Sequence, residues 1–245
     1  MRQNSSPKHK QPHKRTELQR LLSKRGLASR TKATLLIQEG KVRVNGAVVT
    51  DPHAYVSIEA KLVVEGIAQS AALAKKLLIM FHKPKGVVTT ASDEKGRKTV
   101  YDLLPQAYQH LKAVGRLDMA TTGLLLFTND NHFADALLDP SHKIPRSYLV
   151  TVKGAPTPDA CALLTKGVRD KGELLRVAKL DVRKTSGKES LLLMTLHEGK
   201  NREIRRLCDA IGHPVLKLKR ISFGPYELGT LGVGEVREVG FRDWE

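Results

Sequence analysis

What is scarce in this sequence narrows its function before any motif is read. Only two cysteines, Cys161 and Cys208, occur in 245 residues, and neither has a second cysteine near it. That excludes a disulfide framework and the paired-cysteine zinc sites, fits a reducing compartment and sets the expectation of a cytoplasmic protein. Both side chains read as small buried hydrophobes. The nine histidines form no HExxH and no cluster with cysteine, so no metal is expected. No GxxxxGK[ST] is present and no GxGxxG follows a strand, so there is no loop to cradle a nucleotide's phosphates, and no cofactor is expected. No apolar run approaches the roughly 18 residues of a membrane-spanning helix, and no lipidation signal is visible.

Acid is the other shortage. Against 42 Lys and Arg stand 25 Asp and Glu, a surplus of 42 − 25 = +17. Self-repulsion of that size calls for an anionic partner, and a polyphosphate chain ranks above an anionic membrane. The apolar fraction, 40%, is that of a soluble globular protein, and the length allows one sizeable core plus a small second domain.

Residues 1–14 carry Arg2, Lys8, Lys10 and Lys14 but no acid and no Leu, Ile, Val or Phe. They read as a disordered basic arm, and they lack the apolar centre of a signal peptide. Order is expected from Arg15. Leu18, Leu21 and Leu22 mark one helix ended by Gly26; Ser29 caps a second, with Ala33, Leu36 and Ile37 inward and Gly40 at its end. Lys41 to Val44 alternates, and Asn45-Gly46 before Ala47 to Val49 is a type I′ hairpin signal. This domain is expected over 15–64, followed by a linker over 65–76.

From residue 77 the pattern turns to strands. Leu77–His82 and Val87–Thr90 flank a turn at Lys83-Pro84-Lys85-Gly86; Thr99–Leu104 reads as a helical turn, Phe133–Leu138 as a short helix, and Tyr148–Lys153 as a strand. Pro158–Thr165 is helical by its pattern, and Leu174–Lys184 with Ser190–His197 forms a long antiparallel pair. With no sustained βαβ rhythm, 77–245 is expected to be an α+β domain on a mixed, largely antiparallel sheet.

Two stretches carry candidate chemistry. Between Leu111–Val114 and Leu124–Phe127 lie Arg116 and Asp118, an acid expected to be buried between strands; the bland alternative is that Asp118 only caps the turn through Thr121 and Thr122. Far along the chain, a helix over Arg202–Ile211 buries Ile204, Leu207, Cys208 and Ile211. Its wheel puts Arg202 and Arg206 opposite that stripe, open to solvent or phosphate, and Arg205 at its margin, within reach of a carboxylate or of Asp209 one turn on.

Residues 16–64, RLLSKRGLASRTKATLLIQEGKVRVNGAVV in particular, resemble the alpha-L RNA-binding motif of a small-subunit ribosomal protein and several RNA-modifying enzymes. That resemblance implies that Arg25, Ser29, Arg30 and Lys32 face RNA phosphates. GRLDMATTGLLLFTND, the Lys83–Gly86 turn, and HEGKNREIRRLCDAIGHPVLKLKRISFGPYELGTLGVGEVREV resemble the RsuA and RluB group of pseudouridine synthases, in family order. The resemblance implies isomerisation of one uridine in ribosomal RNA, with the large subunit favoured. The same reaction on small-subunit RNA and a non-catalytic assembly factor are the alternatives. It further implies that Asp118 is the essential aspartate, Tyr148 the tyrosine that stacks on the flipped base, and Arg205 the arginine that pairs with the aspartate. Arg116 would hold the flipped nucleotide or fill the gap it leaves, and Lys83 and Lys85 would touch backbone phosphate. No cofactor or metal is implied; the partner is ribosomal RNA or a pre-ribosomal particle, and the protein is expected to act as a monomer. One departure is Glu203, where the family often has Gln, and little effect is expected of it.

Overall fold

The computed structural model describes residues 14–66 and 75–243, which fall into two compact units divided between Lys75 and Lys76. The expected basic arm, all but its last residue, and most of the expected linker lie outside the described residues.

The first unit runs β1 (Arg15–Glu17), α1 (Leu18–Lys24), α2 (Arg30–Gln38), β2 (Val42–Val44), β3 (Ala47–Val48), β4 (Tyr55–Ser57) and β5 (Leu62–Val64). Neither short helix is stable alone, and both are held by one core of Leu18, Leu21, Leu22, Ala33, Ile37 and Val42. The Ser29 hydroxyl accepts from the Lys32 amide at 3.3 Å and so caps α2. Asn45 and Gly46 have φ of 51° and 92°, the double positive of a type I′ turn, which sets the β2–β3 register. Pairing of β1 with β4 was not expected; neither Arg15–Glu17 nor Tyr55–Ser57 alternates apolar with polar residues.

The second unit continues β6 (Leu78–Lys83), β7 (Lys112–Val114), β8 (Thr122–Thr128), α3 (Asn131–Leu138), β9 (Arg146–Lys153), α4 (Pro158–Lys166), β10 (Val168–Asp170), β11 (Glu173–Leu175), β12 (Lys179–Thr185), β13 (Glu189–Leu196), α5 (Glu203–Ala210), β14 (Val215–Phe223), β15 (Tyr226–Glu227) and β16 (Val236–Glu238). Its nine-stranded sheet has the order β12-β13-β9-β14-β8-β6-β16, with β7 on β8 and β15 on β14. All of these pairs are antiparallel except β14 with β8. The fold is therefore α+β on a mixed, largely antiparallel sheet. β8 explains its own sequence: Leu125 and Phe127 enter one core and Leu124 and Leu126 the other, so a strand covered on both faces is apolar throughout.

Two segments depart from the sequence expectation. Val87–Thr90 is not a strand. Only Val88 bridges Thr99, and the Thr89 hydroxyl donates to the Leu117 carbonyl at 2.8 Å, so the segment braces a loop instead of extending the sheet. Leu174 does not lead into the long hairpin. Lys171 and Gly172, at φ 50° and 79°, turn the chain early, and Leu174 joins β11 against β10.

Candidate active site

Residues 115–121 connect β7 to β8 and carry Arg116 and Asp118. The loop is fixed from its backbone. Thr121 donates its amide to the Asp118 carbonyl at 2.9 Å, and Gly86 donates to the Met119 carbonyl at 2.8 Å. Beneath it lies Lys83, fully buried, whose Nζ donates to the carbonyls of Pro84 (3.0 Å), Asp118 (3.2 Å) and Thr121 (2.9 Å). Burial lowers the Lys83 ammonium to about 8, and the Asp118 charge opposes that shift. Lys83 therefore cannot be the phosphate contact that the sequence suggested. The ammonium of a strand-end lysine turned inward because two carbonyls of the loop, with that of Pro84 beside it, needed a donor. Lys85, two residues on, is exposed.

The buried acid expected at 118 is also corrected: Asp118 is partly exposed, and it lines a cleft of about 620 Å³. The loop leaves the sheet before its side chain can be enclosed. The other wall comes from the sheet face. On β9, Arg146 and Tyr148 are two apart and share a face; on β14, Leu218 and Arg220 do the same, and all four line the cleft. Gly123 lets β8 approach β14 here. At φ 109°, a Cβ added to it would lie 2.2 Å from the Arg220 carbonyl oxygen.

The third wall is the start of α5. Ile204, Leu207 and Cys208 are buried as the wheel requires, and burial of the Cys208 thiol pushes it up to about 12, so it is inert. The three arginines separate, as the wheel implied, but with different partners. Arg202 adopts a left-handed conformation, φ 50°, at the N-cap and stays exposed on the cleft. Arg205 donates from Nη2 to the Ala120 carbonyl at 3.3 Å, while its Nε is buried without a partner. Burial lowers its guanidinium, and the Asp118 charge works against this. Among the described residues it closes no ion pair with Asp118 or with Asp209. Arg205 and Asp118 share one cleft, and the arginine grips the turn that carries the acid.

Arg206 is not free for phosphate, contrary to expectation. It bonds Asp170 through Nε and Glu173 through Nη1 (2.6 Å), with Nη2 on the Asp170 carbonyl at 2.9 Å. The β10–β11 hairpin places two acids where the wheel alone showed solvent. Glu203 likewise has a task that was not expected. It is buried, lines the cleft, and accepts from the Lys200 amide at 3.1 Å, holding the Gly199–Asn201 turn against α5; burial raises its carboxyl.

In the first unit, Arg30 and Lys32 are exposed, while Ser29 is spent as a cap. Arg25 is exposed but uses Nη1 and Nη2, each at 2.6 Å, on the carbonyls of Ala60 and Ile58. That tie restricts the phosphate role expected of it. Sequence reading missed Arg146 and Arg220 as parts of the site. A signal existed for the latter: β14 alternates Leu216, Leu218, Arg220 against Lys217, Lys219, so one basic residue falls in the apolar register. Among the described residues no group of His, Cys, Asp and Glu could hold a metal, and no helix is long and apolar enough to cross a membrane.

Comparison with known proteins bears on this geometry. Residues 77–210 match the RNA pseudouridylate synthase family, and residues 18–59 match the S4 domain. A protein of Bacillus subtilis (strain 168) named ribosomal large subunit pseudouridine synthase B is 39% identical over 227 residues, covering 91% of each chain. Its namesake in Pseudomonas aeruginosa is 34% identical over 250 residues, 98% of this chain and 64% of that one. A crystal structure described as a pseudouridylate synthase superposes with a TM-score of 0.64 at 25% identity, covering 92% of this chain and 96% of that one.

Proposed function

The chain belongs to the RNA pseudouridylate synthase family and is a pseudouridine synthase, and from that premise we propose that it isomerises a uridine of ribosomal RNA, in the large subunit. The observation that carries this reading is the cleft in which Asp118, Tyr148 and Arg205 meet from three separate elements. The names of the relatives in Bacillus subtilis and Pseudomonas aeruginosa support the large subunit.

The reaction breaks the C1′–N1 bond, turns the base and joins C1′ to C5; the C5 proton leaves and N1 ends protonated. A stacked base is out of reach of any side chain, so the target must be flipped into the cleft. Tyr148 offers the flipped base an aromatic wall. Asp118, presented from a braced loop, attacks or deprotonates the nucleoside, and Arg205 keeps that loop and its charge aimed. Arg116 and Arg202, exposed at the cleft, meet the flanking phosphates together with Lys85. Residues 77–245 form the catalytic domain in this reading, and the unit within 15–64 adds phosphate contacts through Arg30 and Lys32.

The test is Asp118→Asn. On RNA tritiated at C5 of uridine and taken from cells lacking the protein, wild type releases tritium from the large-subunit fraction. The variant loses at least about a thousandfold in rate yet binds RNA as before. Release confined to small-subunit RNA would overturn the substrate assignment, and full activity in the variant would overturn the role of Asp118.

A further inference from the structure

Among the described residues, two buried side-chain nitrogens have no hydrogen-bond partner, Nε of Arg205 and Nη2 of Arg220, and both guanidiniums line the same cleft. Arg205 already has a place in the reading above. Arg220 has none. It is 3% exposed, and the one side-chain hydrogen bond it makes among the described residues runs from Nε to the Leu124 carbonyl at 2.8 Å. It lies over the Phe223 ring, 5.0 Å from the centroid, with Arg146 at 4.6 Å from the same ring. Arg146 is satisfied, since its Nη1 and Nη2 donate to the carbonyls of His197 (3.0 Å) and Leu137 (3.2 Å). No carboxylate forms an ion pair with either guanidinium among the described residues.

A buried cation with neither a counter-charge nor a full set of acceptors is costly to keep, and the cost is met when a ligand supplies what is missing. Register says where that ligand lies. On β14, Arg220 stands opposite Tyr148 of β9 on one side and Gly123 of β8 on the other, between the proposed stacking residue and the strand leaving the Asp118 loop. The exposed cations Arg116 and Arg202 suit phosphates; a cation buried in the sheet face suits the base.

One species in this reaction needs such a group. When C1′–N1 breaks, the bonding pair departs with the uracil, and the negative charge spreads over N1, O2 and O4. We infer that Arg220 is a further catalytic residue, whose Nη2 donates to the detached uracil and whose buried charge stabilises that anion until C5 bonds C1′. The anion is consumed as the new bond forms, the C5 proton leaves and N1 takes up a proton, so no other reactant is required. A fixed donor in a site from which water is excluded is worth far more than in solution, because nothing need reorganise as the charge appears. This inference rests on the isomerisation and not on the choice of ribosomal RNA.

The test compares wild type with Arg220→Met and Arg220→Lys in single turnover, on cellular RNA tritiated at C5 of uridine and taken from cells lacking the protein. Loss of the group lowers the rate about a hundredfold in Arg220→Met, the size seen on removing one oxyanion donor, and Arg220→Lys recovers part of it. RNA affinity and its salt dependence stay at the wild-type level. If instead affinity falls, the salt slope drops by about one and the single-turnover rate holds, Arg220 is a phosphate contact and the inference fails. Rates unchanged in both variants overturn it as well. A second substrate separates chemistry from a damaged fold. RNA carrying 5-fluorouridine presents a base whose anion is already stabilised by fluorine, so the deficit of Arg220→Lys in base detachment must shrink there; an equal deficit on both substrates marks a structural effect and overturns the inference. Because the label is in all cellular RNA, the comparison reads Arg220 whichever RNA class holds the target. The fraction that releases tritium reports on the ribosomal assignment separately.

Discussion

The ammonium of Lys83 donates to the backbone carbonyl of Asp118 at 3.2 Å, while it also holds Pro84 and Thr121. The lysine thus supports the loop of the proposed essential acid from beneath, without occupying its carboxylate. Replacing it by Met leaves buried carbonyls without a donor and should cost about 3 kcal/mol of stability in urea unfolding. The salt slope of RNA binding should not move, because the ammonium is not at the surface. A variant of wild-type stability whose slope falls by about one would return Lys83 to the phosphate role.

The same burial makes stability depend on pH in a defined direction. An unfolded lysine titrates near 10.4, and folded Lys83 is brought down to about 8. Between those values the unfolded chain holds the proton that the folded chain has released, so the Lys83 contribution to stability rises with pH across this window and is flat below it. Urea midpoints of wild type and Lys83→Met, compared from about pH 7 to about pH 10, should keep a constant separation in the lower part of that range. Above about pH 8 the wild-type curve should gain relative to the variant. Parallel curves throughout would show that Lys83 titrates as an ordinary lysine.

The residues themselves show how much of this could be read in advance. Period and turn chemistry were enough for α1, α2 and the Asn45-Gly46 hairpin, because each is decided by residues within a few positions. The wheel of α5 placed Ile204, Leu207 and Cys208 inward, as they are, since the buried stripe is a property of the helix. It could not see the Asp170 and Glu173 carboxylates that claim Arg206, because they lie 36 and 33 residues away in sequence. Lys83 misled for a related reason: a lysine in a turn beside Pro84 reads as surface, and only the return of the chain at Asp118 and Thr121 provides carbonyls to draw it inward. Local pattern located α1, α2 and the first hairpin but not β1, β4 or the β10–β11 hairpin, and the partners of the charged groups were set by tertiary contacts.

Gly123 gives a direct test of the close approach of β8 to β14. An alanine there combines a φ of 109° with a Cβ at 2.2 Å from the Arg220 carbonyl oxygen, so the backbone must give way. The expected cost is about 3 kcal/mol or more, with lost turnover because Arg220 moves. Gly172, at φ 79° with nothing near its Cβ position, is the control in the same unit and should cost about 1 kcal/mol on replacement by Ala, with turnover kept. Equal costs would mean that conformation alone, and not the approach of the two strands, requires glycine at 123.

Arg202 and Arg206, one helical turn apart, should respond oppositely to the same substitution. Arg202 is exposed on the cleft, whereas Arg206 is held by Asp170 and Glu173. Arg202→Ala removes one phosphate contact under the proposed function, so RNA affinity should fall and the slope of log affinity against log salt should lose slightly under one, about 0.7 to 0.9. Melting should be unchanged. Arg206→Ala frees two carboxylates at the β10–β11 hairpin, so its melting temperature should fall while the salt slope stays within error, although the formal charge lost is the same. Charge alone would make the two variants alike in RNA binding, so equal slopes would refute the division of labour that the ion pairs imply.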